Sequence, residues 1–254
     1  MENKKEFGLI GYPLGHSYSK TYFTNKFSDL GISHAIYHTF PLTDITKLHN
    51  LVKAQKNLVG LNVTTPYKEL VIPYLNEHDP LVLRVGTVNV ISIFRDGDNY
   101  GLKGYNTDVD GLRKLLSGAI NRREVSALIL GSGGSAKTTA FVLKEMGVPY
   151  KFVSRKPGSN DTISYQFLNQ RVVSENKLII NATPVGMHPM FHDFPAIPYE
   201  GISENHICVD LVYNPPQTQF MKKCAAQGAY TQNGEVMLFE QADKAWDIWQ
   251  RDVM

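Results

Sequence analysis

Short apolar runs recur along this 254-residue chain, and nearly every one is followed by a polar turn and a segment of helical periodicity. This alternation constrains the fold more than any other feature, because strands separated by helices build parallel sheets wrapped by those helices. Residues 7–11 read as a first strand and residues 18–30 as a helix. Residues 35–40 alternate as a strand, residues 43–55 are helical, and residues 58–64 form a third run before a short helix after Pro66. Residues 88–94 and 100–105 flank Asp96-Gly97-Asp98, a hairpin signal. The series restarts after Asn106 with a helix over 108–117 and a compact strand over 126–130. A glycine-rich turn and helix follow, then strands over 150–154, 177–183 and 207–213. The last segment, 235–250, carries Val236, Phe239, Ala242, Trp246 and Trp249 at helical spacing. The pattern predicts a two-domain α/β protein divided near residue 106, with the second domain running to about 234.

Composition narrows the function classes. A net charge of +2 gives no electrostatic footprint for nucleic acid or an acidic membrane. The beginning of the chain has charges without a long apolar core behind them, and no stretch approaches the ~18 apolar residues that span a bilayer. Two cysteines, Cys208 and Cys224, make no disulfide framework. The expectation is a cytoplasmic protein that acts on a small molecule, with no metal site.

Residues 131–136, GSGGSA, fit G-x-G-x-x-A between a strand and a helix. Gly131 would permit the tight turn, Gly133 would let a pyrophosphate approach the backbone, and Ala136 would let helix and strand pack closely. An NAD site usually places a carboxylate ~20 residues on, at the end of the second strand. Here that place reads Phe152-Val153-Ser154-Arg155-Lys156, with two cations and no carboxylate, which favours NADP.

The first domain carries a second concentration of polar residues. In "NVTTPYK", residues 62–68, an extended backbone turns Asn62 and Thr64 to one face, and the helix after Pro66 brings Lys68 back toward the strand end. Gly15-His16-Ser17-Tyr18-Ser19, Val88-Asn89 and Asn106-Thr107-Asp108 are three further polar edges. Such edges converge if their strands are parallel neighbours. Neutral hydrogen-bonding groups suit a polyhydroxylated ligand, and a lone Lys and Asp add proton-transfer capacity. Each motif singly is also an ordinary helix cap, and His16 serves equally as a structural hydrogen-bonder.

The order of motifs HSYS, NVTTPYK, GTVN, NTD, GSGGSA, NATPVGM, DLVYNP and GEVMLFEQ resembles the shikimate dehydrogenase family from Gly11 almost to the C-terminus. The resemblance implies an N-terminal α/β substrate domain over 1–106 and a Rossmann-type NADP-binding domain over 107–234. It also implies that the C-terminal helix, 235–254, returns to the first domain and leaves a cleft between the two. The implied reaction is NADPH-linked reduction of 3-dehydroshikimate to shikimate, on the route to aromatic amino acids, by a monomer or homodimer. Lys68 and Asp108 then match the catalytic pair. Ser17, Ser19, Thr64, Asn89, Asp108, Tyr213 and Gln241 match substrate positions, with Asn62 close by. Gly131, Gly133, Gly134 and Ser135 match the phosphate loop, and Ser154 and Arg155 the adenosine-phosphate turn. Thr183, Leu211, Gly234 and Met237 line up with positions around the nicotinamide half. Two departures stand out: Lys20 where the family often has Pro, and Ser154-Arg155-Lys156 where it usually has Asn-Arg-Thr. An NAD-preferring quinate/shikimate dehydrogenase and a non-catalytic dinucleotide sensor are the alternatives.

Overall fold

The structure, a computed structural model, describes residues 4–14, 18–120, 124–155 and 161–254. The chain divides into two compact units, Met1–Thr107 with Ala242–Met254, and Asp108–Gln241.

The first unit contains β1 (Lys5–Gly11), α1 (Tyr18–Asp29), β2 (Ala35–Pro41), α2 (Leu48–Ala54), β3 (Leu58–Val63), α3 (Tyr67–Leu70), β4 (Glu77–His78), α4 (Pro80–Val85), β5 (Val90–Asp96) and β6 (Asn99–Tyr105). Its sheet has the order β2-β1-β3-β5-β6-β4. β1 runs parallel to β2 and β3, whereas β5 runs antiparallel to both β3 and β6. The expectation that the four polar edges lie on parallel neighbours is therefore corrected. Strands joined by a tight hairpin must be antiparallel, so β5 and β6 cannot both run with β3. The result still gathers the edges. Asn62 pairs with Val90, so Asn89, just before the start of β5, lies against the end of β3. Local chemistry closes the short elements: Asp79 accepts a hydrogen bond from the Leu81 N–H to start α4, Pro80 follows it, and Gly86 ends the helix at φ 78°.

Alternation along β1 sends Phe7 and Leu9 into one core and Ile10 into the core on the other face. The first of these is aromatic: Phe27, Trp246 and Trp249 pack on Phe7, and Phe23 and Tyr37 belong to the same cluster. Trp249 is fully buried, donates its indole N–H to the Ile91 carbonyl at 3.0 Å, and stands where a Cβ on Gly60 would come within 2.6 Å of the ring nitrogen. The end of the chain from Ala242 onward is thus packed into the first unit.

The second unit contains α5 (Asp108–Ile120), β7 (Ala127–Leu130), α6 (Gly134–Glu145), β8 (Tyr150–Ser154), β9 (Thr162–Ser164), α7 (Gln170–Glu175), β10 (Leu178–Asn181), β11 (Ile207–Asp210), α8 (Gln219–Ala226), β12 (Tyr230–Asn233) and the start of α9 (Glu235–Val253). All its strand pairs are parallel, in the order β12-β11-β10-β7-β8-β9. Counted from β7, this is the doubly wound Rossmann-type order, and its direction reverses between β7 and β10. The strands β7, β10 and β11 are buried along their whole length, as continuous apolar runs with helices on both faces require. β4, β9 and β12 escape the sequence reading because they are short and lie at sheet edges.

Candidate functional site

In the first unit the polar residues cluster at one end of β3. The Val63 N–H donates to the Asn89 carbonyl at 2.8 Å and the Thr64 N–H to the Ile10 carbonyl at 2.9 Å. Asn62 is buried, accepts from the Tyr37 hydroxyl at 2.7 Å and donates to the Asn89 carbonyl at 3.3 Å. Asn89, also buried, exchanges two hydrogen bonds with Thr107: Nδ2 donates to Oγ1 at 2.9 Å, and Oδ1 accepts from the Thr107 N–H at 2.7 Å. Asn106 donates to the carbonyl and hydroxyl oxygens of Thr87 at 3.0 and 2.7 Å. The strand end, the entry to β5 and the exit from β6 are thereby locked together. Lys68, half-buried on α3, uses its backbone carbonyl to accept from the Val88 N–H at 2.8 Å, which holds its helix against the same edge. Ser19 lies on α1. Ser17, together with Gly15 and His16, lies outside the described residues.

The predicted contacts of the second unit except Asp108 lie at or beyond the carboxyl ends of its parallel strands, most of them just past one. Gly131 to Ser135 follow β7, Arg155 follows β8 with Ser154 as that strand's last residue, and Thr183 follows β10. Leu211 and Tyr213 follow β11, and Gly234, Met237 and Gln241 follow β12. Ligands of open α/β sheets bind at this edge, beside the reversal of strand order. Asp108 is buried at the first position of α5.

The glycine turn fits a dinucleotide pyrophosphate. Gly131 has φ 112°, a left-handed conformation that glycine tolerates and side chains do not. Gly133 precedes the first turn of α6, and a Cβ built on it meets nothing within 4 Å, so the backbone there is open to approach. Ala136 behind it is fully buried, as close helix–strand packing demands. Ser132 and Ser154 join the loop to the end of β8 through their hydroxyls at 3.2 Å. Arg155 is exposed, and Lys156 lies outside the described residues. Around the later strand ends, Thr183 donates its hydroxyl to Asn181 Oδ1 at 2.6 Å, and Gln241 donates to the Leu238 carbonyl at 2.9 Å. A side chain on Gly234 would run into the Leu211 backbone, so glycine is required there for close approach.

Two residues at these edges carry no role in the sequence reading. Tyr37 is one; its phenol sits well above the ordinary range because it is buried, with the Ser19 hydrogen bond opposing. Asp210, fully buried at the end of β11, is the other. Burial pushes its carboxyl up to about 6, against hydrogen bonds from Thr218, Val212 and Asn181. The signal for Asp210 was present in the sequence, as a carboxylate closing the apolar run Ile207-Cys208-Val209.

A parallel sheet in this order with an open glycine turn at its reversal defines a dinucleotide-binding α/β protein. The family described as "Shikimate dehydrogenase substrate binding domain" matches residues 9–91. The shikimate dehydrogenase (NADP(+)) of Halothermothrix orenii is 36% identical over 263 residues, covering 95% of this chain and 89% of the relative. Shikimate dehydrogenase 1 from Peptoclostridium difficile superposes with a TM-score of 0.83 at 33% identity, covering 98% of this chain and 93% of that one. The Thermus thermophilus shikimate 5-dehydrogenase, solved with NADP(H) and shikimate, has a TM-score of 0.81 at 27% identity over 97% and 93% of the two chains. The chain belongs to the shikimate dehydrogenase family.

Proposed function

We propose that this chain catalyses the reversible NADPH-dependent reduction of 3-dehydroshikimate to shikimate, a step of chorismate and aromatic amino acid biosynthesis. The observation that carries the reading is the hydrogen-bonded polar edge of the first unit, which presents Asn62, Thr64, Lys68 and Asn89 within the segment matched by the substrate-binding family. The turn at Gly131–Ser135, and Arg155 in place of a carboxylate, support NADP as the cofactor.

When bound, NADPH would supply the hydride. The Lys68 ammonium would stabilise negative charge on the substrate's ketone oxygen and deliver the proton to it. In the oxidative direction the same amine receives that proton. Asp108 holds a substrate hydroxyl and orients the reacting groups. Ser17, Ser19, Asn62, Thr64, Asn89, Tyr213 and Gln241 bind the substrate through hydrogen bonds. Gly131, Gly133, Gly134 and Ser135 cradle the pyrophosphate with backbone N–H groups, Ser154 and Arg155 take the 2′-phosphate side, and Thr183, Leu211, Gly234 and Met237 receive the nicotinamide half. The residues 1–106 with the final helix act as the substrate domain and residues 107–234 as the NADP domain, in a cytoplasmic monomer or homodimer. Among the described residues no helix is long and apolar enough to cross a membrane.

The test is the growth of reduced-nicotinamide absorbance when purified protein meets shikimate or quinate with NADP+ or NAD+. Shikimate with NADP+ is expected to give the highest kcat/KM. No absorbance change with any combination would overturn the enzyme reading, and preference for NAD+ would overturn the cofactor reading.

A further inference from the structure

Tyr37 heads a buried hydrogen-bond chain that joins two of the proposed substrate contacts, Asn62 and Asn89, and it has no assigned part in the reaction. Its residue exposure is 2%, and its ring stacks on Phe23 with centroids 4.6 Å apart and planes 11° apart. Its hydroxyl donates to Asn62 Oδ1 at 2.7 Å. Beyond Asn62, the amide nitrogen donates to the Asn89 carbonyl at 3.3 Å, and Asn89 continues the chain to Thr107.

These contacts select one face of the Asn62 amide. Turned over, the amide would set its oxygen against the Asn89 carbonyl, acceptor against acceptor, and would lose that bond. In the observed orientation the oxygen is held by Tyr37 and one N–H by Asn89. A primary amide has two N–H donors and two acceptor lone pairs, so the second N–H is the donor left to meet a ligand, beside one remaining lone pair of Oδ1. A buried phenol that keeps its proton is suited to this task, because it remains a donor to Oδ1 throughout the working pH range.

We propose that Tyr37 is a positioning residue for substrate recognition, which locks Asn62 as a hydrogen-bond donor toward the substrate. The subsite served by Asn62 then selects an oxygen with a free lone pair, such as a hydroxyl, carbonyl or carboxylate oxygen. This rests on the substrate role proposed for Asn62.

The experiment compares Tyr37→Phe, Asn62→Ala and the double variant by steady-state kinetics in shikimate and in NADP+, with thermal unfolding of each. Phenylalanine keeps the ring stack on Phe23, so Tyr37→Phe is expected to unfold within a few degrees of the parent. Its KM for shikimate is expected to rise about tenfold, the usual consequence of freeing a buried hydrogen-bond partner, while kcat and KM for NADP+ change less than about twofold. In the Asn62→Ala background, Tyr37→Phe should add less than about twofold, because residues acting through one another are not additive. If Asn62→Ala raises the shikimate KM and Tyr37→Phe does not, this proposal falls and the substrate site stands. If Asn62→Ala leaves that KM unchanged, the substrate role of Asn62 falls and the proposal with it. A Tyr37→Phe protein that fails to fold, or that loses kcat and both KM values together, assigns the hydroxyl to folding and overturns the proposal.

Discussion

At the glycine turn of the second unit the proposed ligand contacts are backbone. A positive-φ glycine, an open position at Gly133 and the first turn of α6 make the proposed pyrophosphate cradle. In the first unit they are side chains, and these are held by other side chains: Tyr37 on Asn62, Asn62 on the Asn89 carbonyl, Asn89 on Thr107. The contrast follows from what each ligand part needs. A pyrophosphate is met by N–H groups that every residue has, so the requirement falls on absent side chains. A polyhydroxylated ring needs donors and acceptors at particular points, so the requirement falls on amides and hydroxyls whose orientations must be fixed.

The two units should therefore break differently. The largest effect is expected from Lys68→Ala, which removes the proposed proton donor while leaving the hydrogen-bonded frame around it. Turnover should fall ~10²–10⁴-fold, with a smaller change in shikimate KM, and unchanged turnover would remove Lys68 from the chemistry. Trp249→Ala tests the frame itself. Loss of a fully buried indole should cost ~3–5 kcal/mol in denaturant unfolding, and a loss below ~1 kcal/mol would mean that the aromatic core of the first unit does not depend on the last helix.

Asp210 offers the matching test in the second unit. Its carboxyl is raised from 3.8 to about 6 in the folded protein, so the folded state binds the proton more tightly than the unfolded state. The sign follows: its contribution to stability is complete below the unfolded value and is lost as pH rises through the folded one. Asp210→Asn stays neutral and should remove that slope, gaining on the order of 2 kcal/mol over the parent between about pH 4 and pH 7. Parallel stability curves for parent and variant would contradict the shift. The smallest expected change is Gly133→Ala. Its Cβ enters open space, so melting should be unaltered while the KM for NADP+ rises about tenfold, equivalent to ~1.4 kcal/mol. An unchanged KM would show that the cofactor does not approach that backbone.

The sequence was most informative where local chemistry and fold agree. The strand–glycine–helix junction at residues 126–136 is recognisable because apolar continuity, the turn and the helix start each depend on near neighbours. The aromatic spacing of the last helix was equally plain, but its packing partner was not, since Trp249 donates to Ile91, far away in the chain. In the first unit the polar edges were visible while their mutual arrangement was misjudged. Asn89 precedes a strand of opposite direction, and strand order is a long-range property. Tyr37 was legible only as an apolar position on an alternating strand, because a phenol's partner cannot be read from its own neighbourhood.

The sequence by itself determined the two-part α/β plan, the dinucleotide turn, the absence of a carboxylate after β8 and the residue types of both polar edges. Tertiary structure alone decided that β5 runs against β3, that Gly60 yields its space to Trp249, and that the Tyr37 hydroxyl meets the Asn62 amide oxygen. The physical reason is range. Periodicity, capping and turn preference act over a few residues, whereas strand direction, steric exchange and hydrogen-bond pairing join residues that only folding brings within reach.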